Sequence, residues 1–139
     1  MDEIRSLAIC DINDPLLDDR KFDCIALLNL VDRCAKPISL LNDAKKKLNP
    51  GGVIIIALVI PFNPWVETSN GYVKPDEKMR IKADSFEETA SNFAETVLTP
   101  NGFQVKAFSK IPYFSQGDYY RELYALTDSI WVVKVKDKC

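Results

Sequence analysis

Two apolar runs with a helix-spaced segment between them organise the pattern of this 139-residue chain. The first is Cys24-Ile-Ala-Leu-Leu-Asn-Leu30, inside a strand expected over residues 22–30. The second is Val53-Ile-Ile-Ile-Ala-Leu-Val-Ile60, which stops at Pro61. Unbroken apolarity marks strands buried on both faces, so each reads as a central strand of a parallel sheet. Between them Ile38, Leu41, Ala44 and Leu48 recur at helical spacing with Leu40 beside them, and Pro37 suits the first helical turn. Asn49-Pro-Gly-Gly52 ends that helix and turns the chain. Such a strand–helix–strand crossover is right-handed, and open sheets of this kind bind ligands beyond the carboxyl ends of their strands. The polar cluster from Asn29 to Cys34 lies at such an end.

The remaining pattern adds elements on either side. Ser6 to Cys10 reads as a short strand, closed by an acidic, proline-containing loop over residues 11–20. Residues 61–82 lose periodicity and hold two aromatics, Phe62 and Trp65, and the turn Ser69-Asn-Gly71. This stretch is either a lid or binding loop, or an edge hairpin around Asn70-Gly71. Ser85-Phe-Glu-Glu88 matches a capping box, and Phe86, Ala90, Phe93, Ala94 and Val97 carry a helix to about Leu98. Phe103, Val105 and Ala107 alternate with polar residues as a strand with one solvated face, followed by a loop over residues 111–118. Residues 120–126 and 130–136 read as an antiparallel hairpin joined by Thr127-Asp-Ser129. The sheet is thus expected to be parallel early and antiparallel late, with five or six strands in one α/β domain over residues 1–139.

Composition narrows the chemistry. A net charge of −2 and the lack of a long basic run favour neither nucleic acid nor an anionic membrane as partner. The triplet Lys45-Lys-Lys47 reads as the solvated face of a helix. Cysteines 10, 24, 34 and 139 form no CxxC pair, and Cys10 and Cys24 fall in apolar runs, where a thiol acts as a small hydrophobe. There is no histidine, which removes His-built zinc sites, His-dependent triads and the usual general base. Carboxylates, amides, tyrosines or a cofactor must carry any chemistry. The opening Met1-Asp-Glu-Ile-Arg5 lacks the apolar region of a signal peptide, and Val53 to Ile60 is too short to span a bilayer, so the chain reads as soluble with no compartment assigned.

Four segments together resemble one family: Leu28-Asn-Leu-Val-Asp-Arg-Cys34, Ala57-Leu-Val-Ile-Pro-Phe-Asn-Pro-Trp-Val-Glu67, Ile111-Pro-Tyr113 with Gly117-Asp118, and Tyr124-Ala-Leu-Thr-Asp128. They are similar to the DREV, or methyltransferase-like-protein-9, family, and the likeness runs from Phe22 onward. It implies a Rossmann-like class I methyltransferase fold, S-adenosylmethionine as cofactor, and methylation of a histidine ring nitrogen in protein substrates with His-x-His motifs. By the same resemblance Asn29 and Asp32 are the catalytic pair that holds the substrate imidazole, with Arg33 and Tyr113 also on the substrate. Asn13 and Asp14 are the candidates to face the cofactor's adenine.

Each of these residues has a plainer reading. Asn29 and Asp32 also suit local turn caps, with Asp32 paired to Arg33; Tyr113 suits packing over the sheet end, and Asn13 and Asp14 suit a plain loop. Phe62 and Trp65 either line a pocket or pack into core or lid, and Gly117-Asp118 reads as a turn. The chain also departs from the family pattern. None of its five glycines lies in the first fifty residues, so the expected first strands and Gly-rich cofactor loop are missing. The family's Glu-Gly-Asp reads Gln116-Gly-Asp118, and its Arg-Leu-Pro-Tyr reads Lys110-Ile-Pro-Tyr113. Three readings follow: an enzyme of this lineage, a binding module that kept only the substrate half, or part of a longer product. A parallel sheet without its first strands leaves an edge or face uncovered, so self-association is expected.

Overall fold

The computed structural model describes residues 11–81 and 84–137. Among these residues six strands and two α-helices form in the order β1 (Phe22–Leu28), α1 (Pro37–Lys46), β2 (Leu48–Ile60), β3 (Val66–Thr68), β4 (Gly71–Val73), α2 (Phe86–Phe93), β5 (Phe103–Gln116) and β6 (Leu123–Val135). The main sheet runs β1-β2-β6-β5, and β3-β4 is a separate two-stranded hairpin. β1 and β2 are parallel, while β2–β6 and β6–β5 are antiparallel. The chain is therefore α/β with a mixed sheet, as the pattern predicts. The expected strand Ser6–Cys10 lies outside the described residues.

α1 is the crossover that lets β2 return parallel to β1. Pro37 occupies its first turn, and no side chain of Lys36 caps it. The cap comes instead from across the chain. Glu77 accepts hydrogen bonds from the Ile38 and Ser39 amides at 2.7 and 2.9 Å, and another from the Ser39 hydroxyl. α2 begins as its sequence dictates: the Ser85 hydroxyl accepts from the Glu88 amide at 3.1 Å, and Glu88 reaches back to the Asp84 amide. A π-turn over Ala94–Leu98 completes it, closed by the Thr99 amide donating to Ala94 O.

Ile54, Ile56, Leu58 and Ile60 alternate along β2 and share one sheet face, in a single core with Leu41 and Ala44 of α1 and Ala90 and Phe93 of α2. Trp131 of β6 closes that core, its ring 5.3 Å from Phe93 in an edge-on contact. Both helices therefore cover the same face, while Val53 and Ile55 on the opposite face are only half-buried.

Several expectations need correction. β1 is an edge strand among the described residues, and Cys24, Ala26 and Leu28 on its outer face are exposed, so Cys24 does not act as a buried hydrophobe. Apolarity alone predicts what a strand tolerates, and it cannot tell a strand that is covered from one awaiting cover. Residues 111–116 are not a loop but the second half of β5, where Pro112 is accommodated because β5 is an edge strand. The hairpin is formed by β5 and β6, and Thr127-Asp-Ser129 lies inside β6 rather than at a turn. The cross-sheet contacts of those polar side chains explain this. The Ser129 hydroxyl donates to Leu58 O at 2.8 Å and accepts from the Trp131 indole at 2.9 Å.

Candidate functional site

β1 ends at Leu28, and Asn29 turns the chain with a φ of +52°, a left-handed conformation that asparagine tolerates better than most residues. The Asn29 amide still donates to Ala57 O on β2 at 3.0 Å, so the turn is anchored to the parallel pair. Three residues on, Asp32 is held from two sides. Its carbonyl accepts from the Trp65 amide at 3.1 Å, and its Oδ2 accepts from Arg33 Nη1 at 3.0 Å. Arg33 also donates to Asn63 O at 3.0 Å, and its guanidinium lies 4.3 Å from the Trp65 ring centroid. Trp65 in turn meets the Tyr72 ring edge-on at 4.7 Å. Of the two readings of the aperiodic stretch the hairpin forms: β3 and β4 turn at Ser69-Asn70, and Trp65 at its base lines a pocket. Phe62 packs against the core instead.

The pocket is an open cleft of about 690 Å³ on the face away from the helices. Asn29, Asp32 and Arg33 form one side, Trp65 and Glu67 another, and the β5–β6 ribbon the third. Register explains the ribbon wall. Tyr113 pairs with Leu126 and Ser115 with Tyr124, so these four side chains share one face. The Tyr124 hydroxyl donates to Asp118 at 2.9 Å, and Asp118 also accepts from the Tyr120 and Arg121 amides. Those bonds, the Tyr120 amide foremost, hold the Asp118 carboxyl below its ordinary range; the bond to Asp118 in turn raises the Tyr124 phenol. Gly117-Asp118 is the turn expected of it, and a Cβ at Gly117 would lie 1.6 Å from Arg121 O, so only glycine fits.

The sequence candidates separate cleanly. Asn29, Asp32, Arg33 and Tyr113 come together around the cleft. Asn13 is exposed and Asp14 caps a short 3₁₀ turn through the Leu16 amide; neither lines the cleft. Tyr124 and Asp128 went unassigned in the sequence, though Tyr124, Leu126 and Asp128 alternate on the inner face. Asp128 pairs with Val59 of β2, itself a cleft residue.

The electrostatics are lopsided toward acceptors. Asp32 is 1% exposed and Asp128 3% exposed. Asn29 Nδ2 donates to Asp128 Oδ2 at 3.2 Å. Three buried atoms, Asn29 Oδ1, Asp32 Oδ1 and Asp128 Oδ1, have no hydrogen-bond partner among the described residues. Burial pushes the Asp32 carboxyl up, Arg33 pulls it back, and the nearby Asp128 adds to the rise. Burial likewise raises Asp128, against the opposing bond from Asn29. Three unpaired acceptors on Asn29, Asp32 and Asp128, the first two of them cleft-lining residues, call for a partner that the described residues do not supply.

The described residues do not fit a S-adenosylmethionine cradle in the same way. Gly51 and Gly52 line a separate cleft that shares no residue with this one, Gly71 turns the β3–β4 hairpin, Gly102 precedes β5, and Gly117 is confined to its turn. No group of three or more His, Cys, Asp or Glu side chains able to hold a metal occurs among the described residues, and no helix there is long and apolar enough to cross a membrane.

Comparison with known proteins gives the lineage. Among solved structures, the chain overlays on a provisionally assigned methyltransferase from Thermoplasma acidophilum at 14% identity and a TM-score of 0.45, covering 91% of this chain and 43% of that one. It overlays on a S-adenosylmethionine-dependent methyltransferase from Clostridium acetobutylicum at 15% identity and a TM-score of 0.44, covering 94% and 64% respectively. Overlays this loose do not bear on activity, and this chain spans less than two thirds of either structure. The family model is decisive. It matches residues 3–135, nearly the whole chain, and this protein belongs to the DREV methyltransferase family.

Proposed function

We infer that this chain supplies the acceptor-holding side of a S-adenosylmethionine-dependent methyltransferase that acts on a histidine ring nitrogen in His-x-His protein segments. The observation that carries this reading is the placement of Asn29 and Asp32 on one wall of a cleft at the carboxyl end of β1, each with a buried side-chain oxygen that no described residue pairs. A neutral imidazole has one N–H donor and one lone pair. An acceptor taking the N–H fixes the tautomer and leaves the other nitrogen's lone pair free, the state that accepts a methyl group. Trp65 and the Tyr113–Tyr124 ribbon wall then hold the ring in one orientation, and positioning of this kind supplies much of the rate in group transfer. Family membership implies the methyl donor, whose cradle the described residues lack; the roles of Asn29 and Asp32 toward the imidazole do not depend on where it binds.

That missing cradle also favours a second reading, a non-catalytic module that binds histidine-containing segments through the same cleft. One pair of titrations decides. A peptide with a His-Ala-His core is titrated into the chain near pH 8, where imidazole is neutral, alongside the same peptide with both histidines replaced by alanine. Binding of the first and not the second supports the cleft assignment, and equal binding of both refutes it. Calorimetry with S-adenosylmethionine then separates the two readings: binding favours the enzyme, while peptide binding without it favours the module.

A further inference from the structure

We propose that Asp128 is a positioning residue, which fixes the Asn29 side-chain amide so that Nδ2 faces β6 and Oδ1 is left to accept from the ligand. The inference rests on the cleft reading above and goes beyond it, because Asp128 itself is not a cleft-lining residue.

Asparagine presents an amide with two chemically opposite ends, and a half-turn about its last bond exchanges donor for acceptor. Something must choose between them. Asn29 sits at the mouth of β1 in a left-handed turn, and its only side-chain partner among the described residues is Asp128, 99 positions away in sequence. An ionised carboxylate accepts and cannot donate. Facing Asp128, the amide can present only its NH₂; the reversed amide would set oxygen against oxygen in a buried site. Asp128 is placed for this by register. It lies opposite Val59 on β2 and Ile111 on β5, in the middle of the sheet, where the strand backbone on both sides is hydrogen-bonded. The selectivity is thus carried by a rigid element and not by the loop that holds Asn29. Asp32 works on the same principle from the other side, since Arg33 takes Oδ2 and leaves Oδ1 free. The outcome is that the unpaired oxygens of Asn29 and Asp32 are both acceptors.

The replacement Asp128→Asn isolates the effect. It keeps shape and volume, and its amide oxygen can still accept from Asn29, so the fold survives. It also offers an NH₂, which lets both amides reverse together and present a donor where the ligand's N–H belongs. We expect D128N to fold at least as well as the parent and to bind the His-Ala-His peptide about tenfold more weakly, equivalent to about 1.4 kcal/mol. In an Asn29→Gly background the same D128N change should have no further effect on peptide affinity, a coupling that a purely structural role would not produce. An unchanged affinity in D128N, with Asn29→Gly still impaired, overturns the proposal and leaves the cleft assignment standing. Should the peptide not bind the parent chain at all, the cleft assignment fails, and the side-chain amide resonances of Asn29 decide the proposal alone. Two distinct, slowly exchanging NH₂ protons that lose their dispersion in Asp128→Ala support it; an identical pair in parent and D128A overturns it.

Discussion

Replacing Asp128 by asparagine should stabilise the fold, and the gain should depend on pH. The Asp128 carboxylate is 3% exposed, holds one neutral donor at 3.2 Å, and keeps a second oxygen unpaired. Leaving a buried polar atom unsatisfied costs about 1–3 kcal/mol, more if it is charged. The variant still buries an unpaired group, its NH₂, so what it removes is the extra cost of carrying charge there; against that, it exchanges a charge-assisted hydrogen bond for a neutral one, a loss of about 1 kcal/mol. The difference favours the variant by up to about 2 kcal/mol at neutral pH. For a chain of this size that is a rise in Tm of up to about 8 °C. The sign of the pH dependence follows from burial, which raises the folded-state pKa of Asp128. The folded protein therefore binds this proton more tightly than the unfolded chain. Stability is highest below the unfolded value of about 3.9, falls as pH rises through the folded value, and is constant above it. The variant lacks that titration, so its advantage should be present at pH 7 and vanish near pH 3. Urea melts at both pH values, followed by the fluorescence of the two tryptophans, test it. A variant that is less stable at pH 7, or a gain equal at both pH values, would refute the claim that an underpaired charge strains this site.

Three shorter expectations follow from other contacts. Because Asn29 has a φ of +52°, Asn29→Gly should be more stable than Asn29→Ala by about 1 kcal/mol in urea melts, the reverse of the usual order of these two residues. Glu77→Ala removes the cap of α1 and should cost about 1–2 kcal/mol at pH 7. Burial opposes ionisation of Glu77, but its bonds from Ser39 and Ile38 prevail and lower its pKa, so its contribution is present above the unfolded value and is lost as pH falls through the folded one. The destabilisation by E77A should accordingly shrink in acid. Finally, the outer face of β1 exposes Leu28 to 62% beside Ala26 and Cys24, so the chain should self-associate in sedimentation velocity, and Leu28→Lys should shift it toward monomer. A parent chain that sediments as a single monomer would contradict this.

Much of this architecture is legible in the sequence because it is local. Helical spacing from Ile38 to Ala44 marks α1, the Ser85–Glu88 pair marks the start of α2, and the run Val53 to Ile60 marks most of β2, although Leu48 and Asn49-Pro-Gly-Gly52, expected to end the helix and turn, already belong to that strand. The placement of Asn29 and Asp32 is equally legible, since a polar cluster that directly follows an apolar run has to lie at a strand end. What escapes is settled by partners distant in sequence. Thr127-Asp-Ser129 has the composition of a turn, and only the contacts to Asn29 and Leu58 make it the interior of a strand. Pro112 looks like a break until β5 is known to be an edge. The edge position of β1 escapes for the opposite reason: its residues are apolar enough to be central, and what would cover them is not encoded in their own pattern.

The misread strand and the site are connected. A buried polar side chain inside a sheet persists only with a partner, and the two buried members of the triplet find one in structural ways, Ser129 with Leu58 and Trp131 and Asp128 with Asn29. Yet Asp128 pairs incompletely, and so do Asn29 and Asp32. Three orphaned acceptors from two distant segments, meeting beneath one cleft, are an arrangement that stability alone would remove, since neutral isosteres would serve the fold better. A ligand that brings a donor reverses that balance: at a hundredfold excess over its Kd, binding adds about 2.7 kcal/mol to the folded state. Under the proposed function the strain sits where it is useful, and the residues that look wrong for a strand are the ones that would define what the cleft accepts.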